Sequence, residues 1–202
     1  MNSNYKIGII LLAAGSSSRL GFPKQMISIG SESLLSYLSK IAMASKANEV
    51  LAVLGSGRDS FKEVFMDIPI DTTYNEDWNK GIGSSIKHGL KVILKLYPEL
   101  QAIIIMLCDQ PYLSSKLLNE LITTHLKTSK PVVASEYDST KGVPALFHHT
   151  FFNQLSELAD DSGARGVIRQ LDEKQLACIP FKRGNIDLDT EEDLRQFIQR
   201  IG

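Results

Sequence analysis

Residues 11–25, Leu-Leu-Ala-Ala-Gly-Ser-Ser-Ser-Arg-Leu-Gly-Phe-Pro-Lys-Gln, place two cations in a loop of small residues directly after an apolar run. Gly15 and Gly21 let backbone approach a ligand closely, and Ser16 to Ser18 offer hydroxyls and amides with little bulk. Arg19 and Lys24 add two positive charges within six positions. Amide donors joined to cations suit a polyphosphate. The same composition also describes a solvated turn with surface cations. Two standard phosphate loops are excluded by spacing. A Walker A loop needs G-x-x-x-x-G-K-[ST], whereas five residues separate Gly15 from Gly21 and Phe22 follows. The nearest approach to G-x-G-x-x-G, from Gly81 to Ile86, lacks the third glycine.

Carboxylates supply the second half of the chemistry. Asp109, in Cys-Asp-Gln-Pro (108–111), ends the most apolar run of the chain. A carboxylate buried there must be paired, hydrogen-bonded or on a metal, or else it caps a helix that starts near Ser114. In the segment 185–193, alternation puts Asp187 and Asp189 on one side of an extended chain. One of them could coordinate a cation while the other opens a helix, or both could serve as helix-start acids. Asp109 and Asp187 facing Arg19 and Lys24 would form a Mg²⁺ site, because Mg²⁺ takes one or two carboxylates plus substrate phosphates. The glycine-rich turn in 75–89, with Gly81, is expected to open a helix at Ser84-Ser85 whose amides face a ligand. Glycine-bearing loops at 141–147 and 160–166 are expected to line an acceptor pocket. His148 and His149, adjacent on a strand, would point to opposite faces and have no partner at zinc spacing. Cys178 reads as core, and Cys108 lacks a nearby base.

These groups need strand ends to hold them. Buried strands are expected at Ile7–Ala13, Val50–Gly55, Ile103–Cys108 and Pro131–Ser135, with weaker ones at Ile70–Tyr74 and Leu176–Pro180. Helical periodicity covers Ser33–Ser45, Ser84–Leu96, Ser114–Leu126 and Glu191–Ile201. Strands alternating with amphipathic helices imply βαβ units and a mostly parallel sheet with helices on both faces. The unbroken Ile-Ile-Ile-Met-Leu run at 103–107 suits a central strand covered on both sides. In such open sheets ligands sit beyond the carboxyl ends of the strands. No linker or repeat interrupts the 202 residues, so one α/β domain over 1–202 is expected.

Composition narrows the partners. With 22 basic and 23 acidic residues the chain offers no broad basic field, so neither nucleic acid nor an anionic membrane is the expected partner. Two cysteines in a chain this long suit a reducing compartment, and no secretory signal or membrane-length apolar run is visible. The expected location is the cytoplasm.

Assembled, these pieces resemble the MobA-like nucleotidyltransferases, and within them the molybdenum cofactor cytidylyltransferases. Residues 12–24 are similar to the LAAGxSxRxGxxK signature of that family. Residues 75–86, 108–111, 142–147, 161–166 and 187–194 resemble its later motifs in the same order. The resemblance implies a Rossmann-like fold of the GT-A-like nucleotidyltransferase type. It implies that Leu12, Ala13, Ala14 and Gly15 hold the base and ribose, and that Arg19 and Lys24 hold the triphosphate. Asp109 would bind Mg²⁺ with Asp187 as second carboxylate, and Ala14 in place of glycine favours CTP. The implied reaction moves CMP from CTP to the terminal phosphate of a molybdopterin-type acceptor. A molybdenum-dependent dehydrogenase or its chaperone would receive the product. A sugar or alditol phosphate acceptor, or a carrier that binds the cofactor without catalysis, are the alternatives.

Overall fold

The computed structural model describes residues 5–15, 22–55, 61, 63–188, 192–193 and 195–197. Its main sheet contains β1 (Lys6–Ala13), β4 (Glu49–Leu54), β5 (Asp71–Tyr74), β6 (Leu100–Leu107), β7 (Val132–Tyr137), β8 (Thr140–His148) and β9 (Leu176–Pro180). A small antiparallel pair, β2 (Ser28–Ile29) and β3 (Glu32–Ser33), lies between β1 and the first helix. The helices are α1 (Leu34–Met43), α2 (Ile82–Leu96), α3 (Ser115–Thr128), α4 (Phe152–Ser156) and α5 (Arg165–Ile168). Of the expected closing helix, residues 192–193 and 195–197 are helical, and the rest lies outside the described residues.

Strand order is β5-β4-β1-β6-β8-β7-β9. Every neighbouring pair is parallel except β6–β8 and β8–β7, so β8 alone runs against the other six. The chain adds β4 on one side of β1 and later returns to place β6 on the other. That reversal opens a crevice at the carboxyl ends of β1 and β6, where an open α/β sheet binds its ligand.

Alternation divides the core. Ile9 and Leu11 of β1, with Ile104 and Met106 of β6, pack on the face that holds Leu34, Leu38 and Leu118. Ile10 and Leu12, with Ile103 and Ile105, pack on the face that holds Ile86, Leu90 and Ile93 of α2. Period-two strands sandwiched between helices leave no polar face, which explains the unbroken apolar runs. Two helices start where side-chain oxygens await them: Ser33 accepts from the Ser36 amide, and Ser114 accepts from the Leu117 amide. Ser114, rather than Asp109, therefore caps α3.

The segment 141–147, expected as a loop, is most of β8. Its proline explains the difference. The register of β7 against β8 moves from Ala134–Ala145 to Ser135–Gly142, so Val143 and Pro144 form a bulge. A bulge tolerates a residue with no ladder donor, and the Ser135 hydroxyl donates to the Pro144 carbonyl at 2.7 Å. The two histidines also depart from expectation. β8 ends at His148, His149 begins a 3-10 turn, and the rings lie 4.1 Å apart instead of on opposite faces.

Candidate active site

At the carboxyl end of β1 the chain leaves the sheet through Ala14 and Gly15. Gln25, 1% exposed, braces this exit: its Nε2 donates to the Ala13 carbonyl at 2.7 Å and to the Gly15 carbonyl at 3.0 Å. The Pro23–Lys24 turn thereby aims Lys24 across the crevice. Lys24 Nζ meets Asp109 Oδ2 at 2.9 Å, with the two side chains only 14% and 21% exposed. The other carboxylate oxygen, Asp109 Oδ1, is buried and finds no hydrogen-bond partner among the described residues. A buried carboxylate oxygen left in that state is suited to a cation.

Asp187 reaches the same region through the backbone. The Leu188 amide donates to the Asp109 carbonyl at 2.9 Å, which ties residues 185–188 to the end of β6. Burial, followed by the Asp187 charge, pushes the Tyr137 phenol above its ordinary range, and Asp109 adds to the push. Tyr137 and Asp187 line one cavity, and Arg165 on its wall opposes the rise. The oxygen donors fit a hard divalent ion. Among the described residues no group of three or more His, Cys, Asp or Glu forms a metal cluster, so substrate oxygens would complete the shell. Arg19 and Asp189 lie outside the described residues.

A cavity of about 300 Å³ opens above these strand ends. Leu12, Ala13, Ala14 and Gly15 form one wall, Leu107, Cys108 and Asp109 another, and Lys24 and Gln25 a third. The fourth comes from the β5–α2 connection: Trp78, Asn79, Gly81, Ile82 and Ser85. Burial drives the Cys108 thiol far above its usual range, so it lines the wall as a neutral group rather than a nucleophile.

The start of α2 differs from expectation. The helix begins at Ile82, and its Gly83 and Ser84 amides both donate to the Asp160 carbonyl, at 2.8 and 3.2 Å. They face protein instead of a ligand. Gly81 adopts φ 130°, and a Cβ there would come within 2.5 Å of the Asp160 carbonyl oxygen. Ser84 serves the turn: its single hydroxyl proton is shared between the Asp77 and Gly81 carbonyls, each 2.8 Å away. Ser85 takes its place on the cavity wall.

A second cavity, about 210 Å³, adjoins the first through Leu12, Ile82 and Leu107. Its remaining wall includes Gln110, Tyr137, Gly142, Val143, Arg165 and Asp187. Gln110 is 2% exposed, and its Nε2 donates to the Val143 and Gly184 carbonyls at 3.2 and 3.0 Å. One amide thus joins β8 to the segment carrying Asp187. Gln25, Gln110 and Trp78 are not among the expected site residues, although Trp78 and Gln110 fall inside the stretches 75–86 and 108–111 that carry the family resemblance and Gln25 directly follows 12–24. The glycine loop at 160–166 does supply Gly163, Ala164 and Arg165 to this cavity, and Asp160 also pairs with Lys87 at 2.6 Å.

Residues 9–175 match the family described as the MobA-like NTP transferase domain. Purine catabolism protein PucB of Bacillus subtilis (strain 168) is 28% identical over 202 residues, covering 96% of each chain. Nicotine blue oxidoreductase of Paenarthrobacter nicotinovorans is 28% identical over 168 residues, 80% of each chain. Among solved structures, Rv0371c of Mycobacterium tuberculosis H37Rv superposes with a TM-score of 0.84 at 23% identity, over 98% of this chain and 99% of that one. The same protein in complex with manganese gives 0.78 at 21% identity, over 96% and 98%. These names span more than one reaction class, so the chemistry must be argued from the site.

Proposed function

The chain belongs to the MobA-like NTP transferase family, and from that premise we propose that it transfers CMP from CTP to the terminal phosphate of a molybdopterin-type cofactor. The observation that carries this reading is the Lys24–Asp109 pair, held at 2.9 Å across the strand-end crevice, with Asp109 Oδ1 buried and without a hydrogen-bond partner among the described residues. In the reaction, an oxygen of the acceptor phosphate attacks the α-phosphorus of CTP. The bond from that phosphorus to the bridging oxygen of the β-phosphate breaks, and pyrophosphate leaves with the electron pair. Lys24, together with Arg19, stabilises the charge that grows on the leaving group, which needs no proton transfer. A phosphate acceptor is already ionised near neutral pH, so no general base is required.

Asp109 and Asp187 would hold Mg²⁺. The ion, when bound, neutralises phosphate charge and organises the triphosphate oxygens. The manganese complex of Rv0371c supports a divalent ion in this fold. Leu12, Ala13, Ala14 and Gly15 would seat the nucleoside, with Gly81 at the facing wall and Ser84 holding that wall in place. The smaller cavity would take the acceptor. The whole chain, 1–202, would act as one nucleotidyltransferase domain. A reducing cytoplasm agrees with two free cysteines, and among the described residues no helix is long and apolar enough to cross a membrane. Product delivery to a molybdenum-dependent dehydrogenase or its chaperone belongs to the same proposal.

The acceptor is tested by offering CTP and Mg²⁺ with molybdopterin cofactor, sugar phosphates and alditol phosphates in parallel, and identifying the products by mass. A cytidine dinucleotide of the pterin is expected. CMP appearing only on a sugar or alditol phosphate would replace the acceptor while keeping the transfer chemistry.

A further inference from the structure

The only tryptophan of the chain stands in a polar surface turn, Asn75-Glu76-Asp77-Trp78-Asn79-Lys80. Its neighbours Glu76, Asp77, Asn79 and Lys80 are exposed, while Trp78 is half-buried and lines the larger cavity. We infer that Trp78 is the base wall of this cavity, an aromatic face on which the nucleobase of the donor stacks. The inference rests on the nucleotide reading above and adds a residue to it.

Three observations fix the indole in that place. First, β4 is followed by Gly55, where a Cβ would come within 2.7 Å of Trp78 Cβ and 2.5 Å of the Ala14 carbonyl oxygen. The end of β4 is thus reduced to backbone, so that Trp78 can sit tight against the exit of β1. Second, the turn is tied down at both ends. The Asn75 amide donates to the Leu54 carbonyl at 2.9 Å, and Asn75 Nδ2 donates to the Ser84 and Ser85 hydroxyls at 3.0 and 3.1 Å. An anchored turn presents its aromatic without a large ordering cost on binding. Third, polarity is graded across the cavity. Trp78 abuts the end of β4, and Asp109 follows β6, with β1 between those strands. Two strand spacings make about 10 Å. That is room for a base and ribose between an apolar aromatic wall and the charged Lys24–Asp109 end.

Stacking has a distinct consequence. Every nucleobase has a π-face, so an aromatic wall raises affinity for nucleotides without choosing among them. Base choice is left to the polar edges of the β1 exit. Trp78 therefore sets binding strength, and its loss should raise KM for the nucleotide much more than it lowers kcat.

Because the chain has one tryptophan, its emission reports on this residue alone. The full chain is titrated with CTP, ATP, cytidine and inorganic tripolyphosphate while emission is recorded, and nucleotide affinity is measured by calorimetry for wild type, Trp78→Phe and Trp78→Ala. CTP and cytidine should change the emission saturably, and tripolyphosphate should not. Trp78→Ala should weaken CTP binding about 5- to 150-fold, with Phe restoring most of it. Equal emission change with tripolyphosphate, or undiminished affinity in Trp78→Ala, overturns the assignment. Should the alanine variant not fold, the comparison of CTP with tripolyphosphate on wild type decides. If ATP binds in place of CTP with the same emission change, the wall stands and the CTP assignment falls. If no nucleoside triphosphate binds, both fall together.

Discussion

The two adjoining cavities were built in different ways. The larger takes three walls from strand exits and the turn beside them, Leu12 to Gly15, Lys24 and Gln25, and Leu107 to Asp109, and its fourth from the β5–α2 connection, Trp78 to Ser85. The smaller is drawn from far apart in the chain: Gln110, Tyr137 and Val143, Gly163 to Arg165, and Asp187. A polyphosphate site can be written in a short loop because its ligand asks for backbone amides and two or three charges. The smaller cavity needs surfaces from several elements, brought together by an antiparallel strand, β8, and by one buried amide, Gln110; as the proposed acceptor site it would read its ligand on all of them. The wall between the cavities is α2, whose first turn rests on the Asp160 carbonyl.

The most severe way to break this comparison is at the pair on the nucleotide side. Asp109→Asn keeps the shape but removes the charge facing Lys24, and transfer should fall about 10²- to 10³-fold, read as kcat in a pyrophosphate-release assay. Chelation of divalent metal should have a comparable effect on wild type and little further effect on the variant. A smaller effect is expected at the dividing wall. In Gly83→Ala the added Cβ runs into the Ala159 carbonyl, so the 159–162 segment must shift, at a cost of about 1–3 kcal/mol in urea unfolding. Both the nucleotide and the acceptor should bind more weakly in that variant, since both cavities share this wall.

Gln110→Leu tests the acceptor side alone. It leaves the Val143 and Gly184 carbonyls without their donor. KM for the acceptor should rise about tenfold, with CTP affinity measured by calorimetry unchanged. Equal losses for both ligands would show that the two cavities act as one. The smallest effect is expected far from either cavity. His148 has its imidazole held below the ordinary range, first by burial and then by the His149 and His125 rings. Its lowered folded value means that the unfolded chain takes up the proton first as pH falls. This contribution to stability is complete above the unfolded value of about 6.5 and is lost as pH drops towards the folded one. Unfolding midpoints between pH 8 and 5 should therefore decline less in His148→Asn than in wild type, while CTP affinity at pH 7 stays the same.

The contrast between the cavities also accounts for what could be read from sequence. Apolar runs covered on both faces, such as Ile103 to Leu107, identify central strands because no other element of that length is so uniformly apolar. β9 appears with the expected bounds, and β1, β4, β5 and β7 within two residues at either end. β6 starts three residues early, at Leu100, because pairing with Lys6 extends it through a register shift. β8 was hidden by Gly142 and Pro144, residues that argue against a strand unless a bulge absorbs them. At the site, Lys24 and Asp109 were legible as charges at strand ends, and the structure brings them together. The roles of Gln25 and Gln110 were not legible, since a glutamine that braces two carbonyls is chemically indistinguishable in sequence from one on the surface. Ser84 showed the opposite failure. A serine at a glycine-rich helix start resembles an anion site, and only the Asp160 carbonyl reveals that the amides are already engaged.

In the proposed reaction, the Lys24–Asp109 end of the larger cavity performs metal-assisted transfer from a nucleoside triphosphate. Its most direct test is pyrophosphate release from the purified full chain with Mg²⁺, molybdopterin cofactor and each of the four nucleotides in turn. Release with CTP, strongly reduced in Asp109→Asn, is the predicted result. Tight cofactor binding with no release from any nucleotide would contradict the claim and leave a carrier in its place.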